Sequence, residues 1–127
     1  MLFRSLFLDL SFLTISGYAE NGAIVHYEAE YDTAKRLEAR GLYLFDSGGT
    51  YSDGTTDVTR TVALGETTYE EKLHYTLVTI GMLRLLNTVF KKGAMGISLD
   101  IKAREALWEY GLDYNHGTGH EIGRAHV

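Results

Sequence analysis

Apolar positions follow two regimes along the chain. Up to residue 62 they come in short runs or alternate with polar residues; from residue 69 to 110 they recur at helical spacing. Gly41-Leu42-Tyr43-Leu44-Phe45 is a β-prone run that delivers Asp46 at its end. A Gly-rich stretch follows, with Gly48, Gly49 and Gly54, and then a second strand-like run over 57–62. The side-chain period of two puts Asp57, Thr59 and Thr61 on one face of that run, and Val58, Arg60 and Val62 on the other. Residues 23–27 alternate weakly and are short enough for a buried strand, whereas 6–20 lack a clean period and read as a loop before it. The charged stretch 28–40, ending at Gly41, reads as a solvated connection.

The helical regime begins after Gly65. Thr67 or Thr68 is placed to cap a helix, with Glu70 and Glu71 in its first turn. Leu73, Leu77, Ile80 and Leu85, joined by Val78, Met82, Leu86 and Val89, form a broad apolar face that reads as core. Lys91, Lys92 and Gly93 end this helix. Ser98 is placed to cap a second helix, whose Leu99, Ala103, Ala106, Leu107 and Tyr110 follow the period until Gly111. Trp108 reads as a packing anchor. The expected fold is therefore mixed α/β, with strands near 23–27, 42–46 and 57–63 in a curved sheet and helices near 68–90 and 98–110 on one side.

Composition narrows the function. A length of 127 residues allows one domain with a modest core, and 45% hydrophobic and 23% charged residues are ordinary globular values. A net charge of −5, with no basic cluster, argues against nucleic acid or an anionic membrane as partner. There is no cysteine, so a metal site here must use oxygen and imidazole ligands. The apolar start of the chain is interrupted by Asp9 and lacks a small-residue cleavage site, so neither a secretory signal nor a membrane anchor is expected.

A hairpin joining the two strand-like runs would set Asp46 and Asp57 side by side. Adjacent carboxylates repel, so one is protonated or a hard cation lies between them. The cation is the sharper reading; the plain one makes Asp53-Gly54 a turn and leaves the other aspartates solvated. An EF-hand loop is excluded, because Gly48 and Thr50 stand where oxygen ligands should follow Asp46 and no Glu stands near Val58. His120-Glu121 does not open a zinc-protease helix either, since Arg124 occupies the required second histidine position.

Asp46-Ser47-Gly48, Tyr51 and Asp53-Gly54-Thr55-Thr56-Asp57-Val58-Thr59-Arg60-Thr61 closely resemble the Xaa-Pro aminopeptidases of the pita-bread metallopeptidase family M24. Asn21-Gly22-Ala23-Ile24-Val25-His26-Tyr27 resembles the family strand that carries an active-site histidine. Ala106-Leu107-Trp108 with Gly111-Leu112-Asp113-Tyr114, and His116-Gly117-Thr118-Gly119-His120, resemble its helix end and its metal-histidine loop. The resemblance runs from about residue 8 to 120.

It implies a partial pita-bread α/β fold and two divalent metal ions, manganese first, with zinc or cobalt as alternatives. Asp46, Asp57 and His120 match three of the five family metal ligands; the other two are glutamates that lie beyond His120 in the family. His26 and His116 match substrate-facing histidines. The implied activity is release of an N-terminal residue preceding proline, by attack of a dinuclear-metal-bound hydroxide, from a cytoplasmic homodimeric parent. Two rivals stand beside it: a non-catalytic pita-bread binding module, and an oxygen-only calcium loop in which His120 would not affect metal affinity.

The ends carry a separate expectation. Ile122-Gly123-Arg124-Ala125-His126-Val127 reads like a translated sequencing adapter, and Leu2-Phe3-Arg4-Ser5 like its opposite strand. On that reading residues 6–121 are a partial M24 catalytic domain, 1–5 and 122–127 are non-native ends, and the piece is inactive by itself.

Overall fold

Leu42–Ser47 folds as the strand its β-branch-free but aromatic-rich sequence predicts, because it is held on both sides. In the computed structural model, which describes residues 6–119, it is the middle strand of an antiparallel sheet. In chain order the strands are β1 (Phe7–Leu10), β2 (Ile15–Tyr18), β3 (Leu42–Ser47), β4 (Gly49–Tyr51), β5 (Gly54–Thr55) and β6 (Val58–Ala63). They form two three-stranded sheets among the described residues, β2-β3-β6 and β1-β4-β5. The helices are α1 (Tyr69–Leu86) and α2 (Gly96–Trp108). The chain divides into two units, the strands up to Thr67 and the helical Thr68–Gly119.

In the strand unit, β3 and β6 pair so that Asp46 stands opposite Thr59 and Ser47 opposite Val58. Past Ser47 the hairpin bends out of this sheet, and its tip, β4 and β5, pairs with β1. Gly48 is the bend: a Cβ there would overlap the Thr56 carbonyl and the Ser11 hydroxyl. Those same groups are linked, Ser11 Oγ donating to Thr56 O at 3.0 Å and Ser11 N to Gly48 O at 3.2 Å. The turn itself is at Ser52 and Asp53, with Gly54 already in β5.

Two expectations for the first third of the chain are corrected. Residues 6–20 are not a loop but hold β1 and β2. Ile15-Ser16-Gly17-Tyr18 has weak strand propensity, and pairing with β3, with Ile15 opposite Asp46, supplies what propensity lacks. The expected strand at 23–27 does not form; a 3-10 helix, Ala19–Ala23, runs into a turn there. Local bonds take the backbone groups a strand would need: Ile24 N donates to Asn21 O and Tyr27 N to Ile24 O, each at 3.2 Å.

In the helical unit, Thr68 and Glu71 close a capping box: Glu71 N donates to Thr68 Oγ1 at 3.1 Å and Thr68 N to Glu71 Oε2 at 2.7 Å. The helix stops at Leu86, short of Lys91, because Asn87 and Thr88 side chains bond back to the Leu83 and Arg84 carbonyls. The second helix starts two residues before Ser98, capped by Met95 without a side-chain bond, so Ser98 lies in its first turn instead. Gly111, at φ +68°, ends it, and Leu112 N reaches back to Leu107 O at 3.0 Å.

The two helices pack through Leu77, Ala106 and Leu107, with Leu73, Ile80, Leu112 and Tyr114 against them. Arg84 on α1 bridges Glu105 at 3.3 Å and Glu109 at 3.8 Å. Only part of the expected apolar face of α1 is core; Val78, Met82, Leu86 and Val89 are exposed. Trp108 is also half exposed rather than a packing anchor, and its indole serves a polar contact described below.

Candidate active site

The site begins with sheet register. Residues directly opposite in an antiparallel pair point to the same side, and Thr59 faces Asp46. Asp57, two positions before Thr59, is therefore a diagonal neighbour of Asp46 on that face, a pairing in which Cα atoms are about 7–8 Å apart. The burial pattern agrees: Asp57, Thr59 and Thr61 are half-buried, while Val58, Arg60 and Val62 are exposed. The Oδ1 atoms of both aspartates are shielded from solvent. Arg60 lies on the other face, with its guanidinium donating to the Thr59 carbonyl at 2.7 Å, so it is not the cation between them. Shielded carboxylate oxygens with threonine hydroxyls along the same face are the hard donors a divalent cation takes.

His26 belongs to the same unit. It sits in the turn after the 3-10 helix with φ +54°, a left-handed conformation uncommon for a non-glycine residue. Its neighbour Tyr27 is buried and anchors the turn: Asn21 Nδ2 donates to Tyr27 Oη at 2.9 Å and to Thr33 O at 3.2 Å, and Tyr27 Oη donates to Thr33 O at 3.2 Å. His26 lines a cavity of about 360 Å³ with Phe12, Leu13, Thr14, Ile15, Tyr27 and Glu28. Ile15 is the register partner of Asp46, so the cavity wall and the aspartate occupy adjacent strands.

His116 belongs to the helical unit, on the loop after α2. Its Nδ1 lies 2.7 Å from Gly117 O, and since a carbonyl only accepts, Nδ1 is the donor in this bond. Gly119 has φ +92°, a conformation that requires glycine there. His120 lies outside the described residues. Among the described residues no group of three or more His, Asp and Glu side chains is placed to hold a metal ion; Asp46 and Asp57 share a sheet face by register.

The sequence reading missed a cluster around Arg104. Its Nε donates to Asp100 Oδ2 at 2.7 Å, Nη1 to Asp113 Oδ1 at 2.8 Å and to Tyr114 O at 2.6 Å, and Nη2 to His116 O at 2.8 Å. The available signal was the Asp100–Arg104 spacing of four on a helix. The Thr118 hydroxyl, with Arg104, holds the Asp100 carboxyl below its ordinary value of 3.8. The Trp108 indole, at 2.9 Å, then Arg104 and the Tyr114 amide, lower Asp113 likewise. Burial acts to lower the Arg104 pKa, but bonds to Asp113 and Asp100 outweigh it, and the net direction is up.

A pH dependence follows from these depressed carboxylates. Their contribution is fully present above the unfolded value of 3.8 and is lost as pH falls through the lower folded values. Trp108 fluorescence is thus expected to stay constant from pH 7 to about 5 and to change only below about 4. A transition centred near pH 6 would contradict the assignment.

The strand unit thus carries Asp46 and Asp57 on one sheet face and, on its preceding turn, His26 beside a cavity. A family model for metallopeptidase family M24 matches residues 1–127, and the chain belongs to that family. Its relatives are specific. A protein of Sordaria macrospora named probable Xaa-Pro aminopeptidase P is 51% identical over 120 residues, 94% of this chain and 20% of that protein. Aminopeptidase P1 of Lotus japonicus is 52% identical over 117 residues, 92% of this chain and 18% of that protein.

Solved structures agree. X-prolyl aminopeptidase from Caenorhabditis elegans, described as a cytosolic enzyme with a di-nuclear active site, matches with TM-score 0.86 and 42% identity over 92% of this chain and 19% of its own. Prolidase from Pyrococcus furiosus matches with TM-score 0.72 and 30% identity over 83% of this chain and 30% of its own. The fold is part of the pita-bread α/β fold of these enzymes. The chain spans about a fifth of the length of the relatives named aminopeptidase.

Proposed function

We propose that this chain is part of an Xaa-Pro aminopeptidase that releases an N-terminal residue preceding proline. The observation that carries the reading is the placement of Asp46 and Asp57 on one sheet face, with Oδ1 of each shielded, in a chain about half identical to proteins so named. Asp46, Asp57 and His120 would hold divalent ions, manganese first, with zinc and cobalt as alternatives. Two such ions, when bound, polarise the scissile carbonyl and lower the pKa of a water toward neutrality.

The protein residues do the rest. His26, on its turn beside the cavity, would donate to the substrate carbonyl. His116, whose Nδ1 bonds Gly117 O, would contact the substrate through Nε2. The substrates are peptides with proline at the second position, and the parent enzyme acts in the cytoplasm as a homodimer. The 127-residue piece, which spans about a fifth of the length of its relatives, is expected to be inactive by itself.

A non-catalytic binding module is the rival reading, and the two aspartates present argue against it. The test is an assay of Xaa-Pro dipeptide and tripeptide cleavage with added manganese, cobalt or zinc, on this chain and on the full-length protein. The expected outcome is turnover by the full-length protein only. No turnover by it with any of the three ions would favour the binding module. Turnover by the 127-residue chain would show that two further ligands are not needed.

A further inference from the structure

Arg104 is more than a helix surface cation. Its side chain is 13% exposed, and four of its N–H···O bonds fan out from one guanidinium plane. Two of the acceptors are backbone carbonyls, those of Tyr114 and His116, on the loop that follows α2. The plane also lies 4.0 Å from the centre of the Tyr114 ring, and that ring is stacked on His116 at 4.6 Å with 22° between planes. The Tyr114 ring thus contacts both the guanidinium and the imidazole.

Asp100 links these groups to the far side of the loop. One of its oxygens takes the Arg104 Nε–H, and the other takes the Thr118 hydroxyl at 2.5 Å. Tyr114 Oη meets the same hydroxyl at 2.5 Å. The loop is therefore gripped at residues 114, 116 and 118, on both sides of His116 and immediately before His120 in the sequence.

We infer that Arg104, acting with Asp100 and Thr118, is a positioning residue that fixes the histidine loop in one backbone conformation, and that divalent-ion affinity at this loop depends on it. The ion-affinity half rests on the reading proposed above; the clamp itself rests on the bonds just described. Lysine cannot replace arginine, because an ammonium has three donors, no plane to stack and no fork for two carbonyls.

The test uses Arg104→Lys, Thr118→Val and Thr118→Ser in the full-length protein and in this chain. Zn²⁺ affinity is measured by calorimetry, and the His116 ring and Trp108 indole signals are followed by NMR. Arg104→Lys and Thr118→Val are expected to weaken Zn²⁺ binding about 10–100-fold and to split or broaden the His116 signals. Thr118→Ser, which keeps the hydroxyl, is expected to stay close to wild type. Should Arg104→Lys fail to fold, Thr118→Val still decides, since it leaves the guanidinium in place and preserves side-chain shape. Unchanged His116 signals and unchanged Zn²⁺ affinity in a folded Arg104→Lys or Thr118→Val variant would overturn the inference. A wild type that takes up no Zn²⁺ would overturn the metal reading instead, and the His116 signals would then judge the clamp on their own.

Discussion

Asp57→Asn in the full-length protein is expected to lower kcat/KM for an Xaa-Pro substrate by about 10³-fold or more, equivalent to at least about 4 kcal/mol of transition-state stabilisation. Asp46→Asn should do the same. The amide keeps size and hydrogen-bonding capacity but carries no charge, so a site that depends on cations fails while the fold survives. Asp57 is only half-buried at the edge of β6, so the substitution should leave the unfolding temperature nearly unchanged. Arg60→Gln supplies the contrast: its side chain lies on the opposite, exposed face and should leave kcat/KM near wild type. An Asp57→Asn variant with full activity would sink the metal reading of this hairpin.

Gly81→Ala is expected to destabilise the helical unit by about 1–3 kcal/mol, although helix propensity alone would favour alanine by about 1 kcal/mol. The reason is a backbone approach. Gly81 on α1 faces Ala103 on α2, and a Cβ there would overlap the Ala103 carbonyl oxygen and sit 2.9 Å from its carbon. The helices would have to part, loosening Leu77, Ala106 and Leu107. Gly96→Ala is the control, for a Cβ there meets nothing within 4 Å, and it should be neutral or stabilising. Thermal unfolding followed by circular dichroism separates the two; equal rises in melting temperature would refute the close-packing account.

The placement of the two aspartates on one hairpin face was legible because its signals are local. Asp46 at the end of an apolar run and Asp57 at the start of an alternating one needed only the two-residue period and a hairpin to be placed together. The Thr68–Glu71 cap and the stop at Gly111 were legible for the same reason, each being decided within four or five residues, whereas α1 ends at Leu86, before the expected stop at Lys91–Gly93. The misreadings were non-local. Strand β2 exists because β3 offers it a ladder, and residues 23–27 turn because Asn21 reaches across to Tyr27 and Thr33.

The sequence by itself determined the strand–turn–strand with its two aspartates, both helices, and the family to which the motifs point. Those features follow from periodicity and from residue types whose chemistry is the same in any surrounding. Only the tertiary structure decided that Arg104 grips the His116 loop, that His26 sits on a left-handed turn beside a cavity, and that Gly48 and Gly81 mark close backbone approaches. Each of these depends on groups distant in sequence coming within bonding or contact distance, and no local pattern of apolar and polar residues encodes which distant carbonyl a guanidinium will meet.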